Sequence, residues 1–340
     1  MTSLATLRAS NAQLSGATLP QVAVFVGATA GIGRATLTQY VNKGFPLKAY
    51  IVGRNEEEFK PVLSELRASN KAAELIFLEG QISLLAETRR LTDVILRREK
   101  HVDMLFLSAG FLPFTGRQET LEGLGLAMAV GYYSRQIFIR RLLPLLRAAL
   151  KPGADQYSPR IVNILGTGVE TADLHIDDLE LKQPDHFSVQ SYANHSATMT
   201  SVSLKRLAER PENSNITFIH HHPGLVSTEI FKKSWGDQWT EDKAAGGPKV
   251  TSDITRSTPE EAGARSLYVM TSSQYGGKGV PLTEGQEQGL TVDGMTNGSL
   301  FCVGNKMETL QLGELLGDLE RNDASDTIWN KTDELIGSYL

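Results

Sequence analysis

The sequence predicts an α/β protein: a doubly wound parallel sheet lying between two layers of helices. Three observations lead there. Six short apolar runs follow one another, "QVAVFV", "LKAYIVG", "AELIFLEG", "VDMLFLSAG", "RIVNILGTG" and "ITFIHHHPG". They are apolar almost throughout rather than alternating, as strands buried on both faces require. Segments of helical period, such as "LLAETRRLTDVILRRE" and "QIFIRRLLPLLRAAL", separate them. Strands alternating with helices give right-handed crossovers and therefore a parallel sheet.

The elements follow in order. After the first run comes a helix with Leu37, Tyr40 and Val41 on one face and Gly44 at its stop. The strand–helix pattern then repeats as far as the sixth run. Beyond Thr228 it loosens. Residues 231–257 mix charge, Gly-Gly-Pro, Trp235 and Trp239, and read as a loop with one short helix. Thr258 before Pro259, with Glu261 three residues on, starts another helix. "GSLFCVG" reads as a last strand and "DASDTIWNKTDELIGSYL" as a closing helix. No repeat or low-complexity linker divides the chain. The expected organisation is an N-terminal segment, 1–20, and a single domain, 21–340. Residues 231–257 form its lid and 281–340 its C-terminal extension.

Composition sets bounds on function. The 340 residues are 41% apolar and 21% charged, enough to bury a substantial core. A net charge of −5 gives no global reason to expect nucleic acid or an anionic membrane surface as partner. Cys302 is the one cysteine, which excludes an intramolecular disulfide and a cysteine zinc site and fits a reducing compartment. No run of about 18 apolar residues exists, so no membrane span is expected. The first twenty residues lack the apolar core of a secretory signal. A cytoplasmic protein acting on a small molecule is the expectation.

The turn after the first strand reads Gly27-Ala-Thr29-Ala-Gly31-Ile32-Gly33. Glycines there allow a tight turn and close approach of backbone to a pyrophosphate, and the following helix points its N-terminal N–H groups at the anion. Placed between a strand and a helix, this is the context of a Rossmann-type dinucleotide site. The second strand ends in Gly53-Arg54, with no acid until Glu56. A carboxylate there would bind the adenosine ribose, whereas a guanidinium pairs with a 2′-phosphate, so NADP is expected over NAD.

Taken together, Gly27-x-x-x-Gly31-x-Gly33, Ser108-Ala109-Gly110, Tyr192 on a helix after the fifth strand, and Pro223-Gly224-Leu-Val226-Ser-Thr228 after the sixth resemble the short-chain dehydrogenase/reductase superfamily. The likeness covers roughly residues 20–335 and is nearest to divergent fungal members and to those of retinol-dehydrogenase-like length. It implies that Ala109 and Gly110 lie under the cofactor, that Gln81 stands near adenine, and that Pro223, Gly224 and Thr228 hold the nicotinamide carboxamide. It also implies pairing of the two long helices beside the active site into a homodimer or homotetramer.

The resemblance further implies a tyrosine, lysine, serine and asparagine for catalysis. Here Tyr192 remains, Ser196 stands for the lysine, Leu165 and Gly166 stand for the serines with Thr167 the nearest hydroxyl, and Gly131 stands for the asparagine. A tyrosine without a neighbouring ammonium keeps a pKa near about 10, so it can donate a proton but is a poor base. The expectation is an NADP-dependent reductase of a carbonyl or conjugated double bond in a hydrophobic metabolite, with Tyr192, Thr167 and Ser196 at its catalytic centre. The alternatives are a redox-neutral isomerase or cyclase, and an NADP(H)-binding protein without turnover. Arg135, one turn after Gly131, can supply the missing charge, although Tyr132, Tyr133 and Arg135 are expected first to pack a helix or a dimer face. Glu170, Asp173 and His175 lie in the loop after the fifth strand. His220, His221 and His222 alternate faces and cannot converge on a metal, so none is expected.

Overall fold

In the computed structural model, which describes residues 2–149, 157–240 and 256–340, the six apolar runs form β1 (Val22–Val26), β2 (Leu47–Gly53), β3 (Ala73–Glu79), β4 (Met104–Leu107), β5 (Arg160–Ile164) and β6 (Thr217–His221). A parallel pair, β7 (Leu225–Val226) with β8 (Arg256–Ser257), stands apart. β9 (Leu300–Val303) and β10 (Thr309–Leu310) complete an eight-stranded sheet in the order β10-β9-β6-β5-β4-β1-β2-β3. Every pairing is parallel except β9 with β10. The C-terminal extension is thus no appendage, because β9 lies directly against β6.

β1, β4, β5 and β6 are buried along their whole length, which explains their apolar runs, whereas the edge strand β3 exposes Glu74 and Glu79. Val22, Val24 and Val26 face one core, with α4 (Leu85–Arg98), α6 (Ser134–Arg147) and α7 (Val189–Ala208). Ala23 and Phe25 face the other, with α1 (Leu4–Ala12), α2 (Gly31–Val41), α3 (Glu56–Ser69) and α9 (Pro259–Thr271). The start of α9 is a complete capping box: the Thr258 hydroxyl accepts from Glu261 N, and the Glu261 carboxylate accepts from Thr258 N.

Two features shape the site. A short helix, α5 (Leu126–Met128), runs into α6 through one π turn, Ala129–Tyr133, which widens the helix at Gly131. The C-terminal helices, α10 (Gly313–Arg321) and α11 (Ala324–Ile336), close over the outer face of α6 and α7. There the Tyr132 hydroxyl shares hydrogen bonds with Ser203 of α7 and Thr332 of α11. Trp329 of α11 lies under the guanidinium groups of Arg140, Arg206 and Arg210. Tyr132 thus packs helices, as expected.

Candidate cofactor groove and catalytic site

A groove of about 1500 Å³ runs along the carboxyl ends of the strands. That edge is where open α/β sheets bind ligands. Its first wall is the glycine turn. Gly27 and Gly31 have φ of +94° and +56°, which L side chains rarely adopt. A Cβ on Gly33 would stand 2.5 Å from Gly27 O and from Ser108 Oγ, and one on Gly27 would strike Ala109. The turn therefore packs backbone against backbone. Ala30 caps α2 without a side-chain hydrogen bond, leaving the first N–H groups of that helix open to the groove.

Thr29, Gly31, Ile32, Gly33, Arg54, Gln81, Ser108, Ala109, Gly110 and Thr228 all line this groove with Gly27, so the expected cofactor residues converge. Pro223, Gly224 and Val226 do not line it. Gly224 (φ +78°) and β7 instead carry the chain to Thr228. A Cβ on Gly31 would stand 3.3 Å from the Thr228 methyl, so the two ends of the sequence pattern meet across the groove. The cradle fits a dinucleotide: glycines where a Cβ would collide, open helix N–H groups, and two guanidinium groups, Arg34 and Arg54, on the lining. Arg34 was legible only as the residue after the glycine turn.

At the far end Phe111, Thr115, Gln118, Leu126 and Val130 continue the lining into the described part of the lid. Helix α8 (Ile230–Trp235) is pinned there by stacking of Phe114 on Phe231 and Trp235, at 5.9 and 5.1 Å between ring centres, and by Leu112 N donating to Ser234 Oγ at 2.9 Å. Trp235 and Trp239 both line the groove. Residues 241–255 of the expected lid lie outside the described residues.

The catalytic candidates are placed differently. Tyr192 is 4% exposed and sits behind the wall. Its hydroxyl donates to Ala127 O at 3.4 Å, one residue from groove-lining Leu126. A Cβ on Gly131 would collide with that hydroxyl, so the glycine and the tyrosine fit each other. Burial raises the Tyr192 pKa, while Arg135 and the Ser196 hydroxyl pull it down. Ser196 is buried and donates to Ala193 O. Thr167, also buried, donates to Glu170 Oε1 at 2.7 Å.

Glu170 is drawn inward. Its carboxylate accepts from Thr167 Oγ1, Gly168 N and Ser201 Oγ, and Ser201 also bonds His220 Nδ1 at 2.9 Å. Glu170, His220 and Cys302 bring ligand-type atoms within 4.8 Å of one another. The Ser201 hydroxyl bonds both carboxylate and imidazole, while His220 Nε2 is buried with no hydrogen-bond partner among the described residues. Burial pushes the Cys302 thiol up to about 12. His175 stacks on His186 at 3.8 Å, and the His175 backbone N–H donates to His195 Nε2, so these residues pack the loop onto α7. Tyr133 is buried beside Glu180.

Arg135 turns toward the sheet. Its guanidinium donates to Ala109 O (2.5 Å), Asn163 Oδ1 (2.8 Å), Ile164 O (2.8 Å) and Leu107 O (3.5 Å), tying the end of β4 to the end of β5 under the groove. Among the described residues no helix is long and apolar enough to cross a membrane.

Comparison with known proteins agrees with this geometry. Residues 21–164 match the family model described as short chain dehydrogenase. The chain is similar to oxidoreductase AN1596 of Emericella nidulans, 33% identical over 99% of this chain and 98% of that one. It is likewise similar to oxidoreductase andH of Emericella variicolor, 34% identical over 90% of this chain and 84% of that one. The fold matches the NADPH-bound carbonyl reductase from chicken fatty liver with a TM-score of 0.54 at 16% identity, covering 85% of this chain and 98% of that one.

Proposed function

Because the chain belongs to the short-chain dehydrogenase family, we propose that it is an NADP-dependent reductase acting on a carbonyl or conjugated double bond of a hydrophobic metabolite, in secondary-metabolite biosynthesis. One observation carries the reading. A single groove joins a phosphate cradle bearing Arg34 and Arg54 to an apolar end formed by Phe111, Leu126, Val130 and Trp235. Guanidinium groups at the adenosine end suit a 2′-phosphate. The apolar end suits a flat hydrophobic substrate. The relatives named above are fungal oxidoreductases, which agrees with the reading.

In this reading NADPH supplies the hydride when bound. The chain's own residues do the rest. The glycine turn and Ser108–Gly110 fix the cofactor's position. The Phe114–Phe231–Trp235 stack excludes water from the reacting end. Tyr192 is the proton donor, a neutral phenol whose one acceptor, Ala127 O at 3.4 Å, is weak enough to yield to a developing alkoxide. Thr167 and Ser196 hold the loop and helix around it. With no ammonium beside it, Tyr192 is a poor base, which favours reduction over alcohol oxidation.

A second reading, an NADP(H)-binding protein without turnover, is favoured by the burial of Tyr192 behind the wall. Titration with NADPH and NADH, followed by nucleotide fluorescence, tests the cofactor. Micromolar NADPH binding with much weaker NADH binding supports the proposal, and no binding of either sinks it. NADPH oxidation in the presence of planar hydrophobic ketones and enones then separates the reductase from the binding protein.

A further inference from the structure

Arg135 is a buried cation without a counter-ion. It is 3% exposed, and its four bonding partners are neutral oxygens. Among the described residues no carboxylate forms an ion pair with it. Glu170, the anion of the neighbouring network, is occupied by three donors of its own. Carbonyl dipoles solvate the guanidinium but leave its charge uncancelled. Burial brings its pKa down to about 10, so it stays charged at neutral pH.

Its position gives that charge a use. Arg135 Nη2 lies 3.7 Å from where a Cβ on Gly110 would stand, and it holds Ala109 O at 2.5 Å. Ala109 and Gly110 are groove lining. The charge therefore lies just beneath the floor, where the glycine turn packed on Ala109 passes into the apolar end that begins at Phe111, the end the proposed function gives to the reacting groups. We propose that Arg135 makes the groove selective for the reduced cofactor, favouring the neutral dihydronicotinamide ring of NADPH over the cationic ring of NADP⁺. The two nucleotides are otherwise alike, so a fixed charge here acts on their difference. It also speeds departure of the oxidised product. In a partly buried site such a charge is worth about tenfold or more in relative affinity. The inference rests on the nicotinamide reading above.

Asn163 offers the test. Its Oδ1 accepts from Arg135 Nη1 at 2.8 Å, and its Nδ2 has no partner. Asn163→Asp therefore neutralises the guanidinium in place without losing a hydrogen bond. Dissociation constants for NADPH and NADP⁺ are measured by calorimetry for the wild type, Asn163→Asp, Arg135→Gln and Arg135→Lys, each checked for folding by circular dichroism. The wild type is expected to hold NADPH about tenfold tighter or more. Asn163→Asp and Arg135→Gln should tighten NADP⁺ relative to NADPH and bring the ratio toward one, while Arg135→Lys keeps it. A wild-type ratio near one, or a ratio unchanged in Asn163→Asp, overturns the inference and leaves the cofactor reading standing. Failure of the wild type to bind either nucleotide overturns both. If Arg135→Gln does not fold, the Asn163→Asp ratio decides.

Discussion

The Tyr192 hydroxyl fills the space that any side chain at residue 131 would need: a Cβ on Gly131 falls on that oxygen. The asparagine that the family resemblance implies at this place is therefore incompatible with the tyrosine as it stands. Gly131→Asn should destabilise the fold by about 1–3 kcal/mol, as overpacking of a tight core does. A lowered urea midpoint with unchanged slope is the expected result.

Tyr192 has a pH signature. Burial is the largest influence on it and raises its pKa, so the donor form persists through the neutral range. Reduction should show no loss attributable to Tyr192 between pH 6 and pH 9. Tyr192→Phe should slow reduction about 100-fold or more if the phenol is the proton donor. Ser196→Lys alone should not restore alcohol oxidation, since Gly131 and Gly166 remain. Steady-state rates in both directions check all three.

Cofactor choice is expected to turn on Arg54. Arg54→Glu should weaken NADPH binding about tenfold or more, by removing a phosphate partner and adding repulsion, with little effect on NADH. Equal loss for both nucleotides would remove the case for NADP. Arg34 on the same groove should retain part of the preference.

The histidines of β6 predict acid sensitivity. His220 and His221 are fully buried, and burial lowers both, His221 to about 3. The unfolded chain protonates these groups near about 6.5, so between there and the folded values it binds more protons than the native state. Stability therefore rises with pH across that window and is lost as pH falls through it. At pH 5 His221 alone costs about 2 kcal/mol. Thermal melts between pH 7.5 and pH 4.5 should show this slope, and His221→Gln should flatten it.

The fold was legible because its signals are local. Unbroken apolar strands, the glycine turn and the Thr258–Glu261 cap each declare themselves within a few residues, and each is found where expected. Most of the groove lining was legible because it sits at strand ends, whose place the topology fixes, although Pro223, Gly224 and Val226 fall outside it. The placement of Tyr192 was not. Whether Tyr192 faces the groove depends on a π turn and on a glycine 61 positions away in the chain, and neither shows in the spacing of the tyrosine motif. Glu170 gave no such signal, because its partners Ser201 and His220 come from other elements. Arg135 read first as a packing residue, and its hold on two strand ends needed the sheet to be assembled.

The helix α11 bears on assembly. Through Thr332 and the arginine-caged Trp329 it occupies the face of α6 and α7 that the family resemblance gives to subunit pairing. A second copy approaching those helices meets α11 first. The chain supplies from its own C-terminal region the neighbour that a symmetry mate would otherwise provide. Pairing between copies must then use another surface, or begin with α11 leaving its seat.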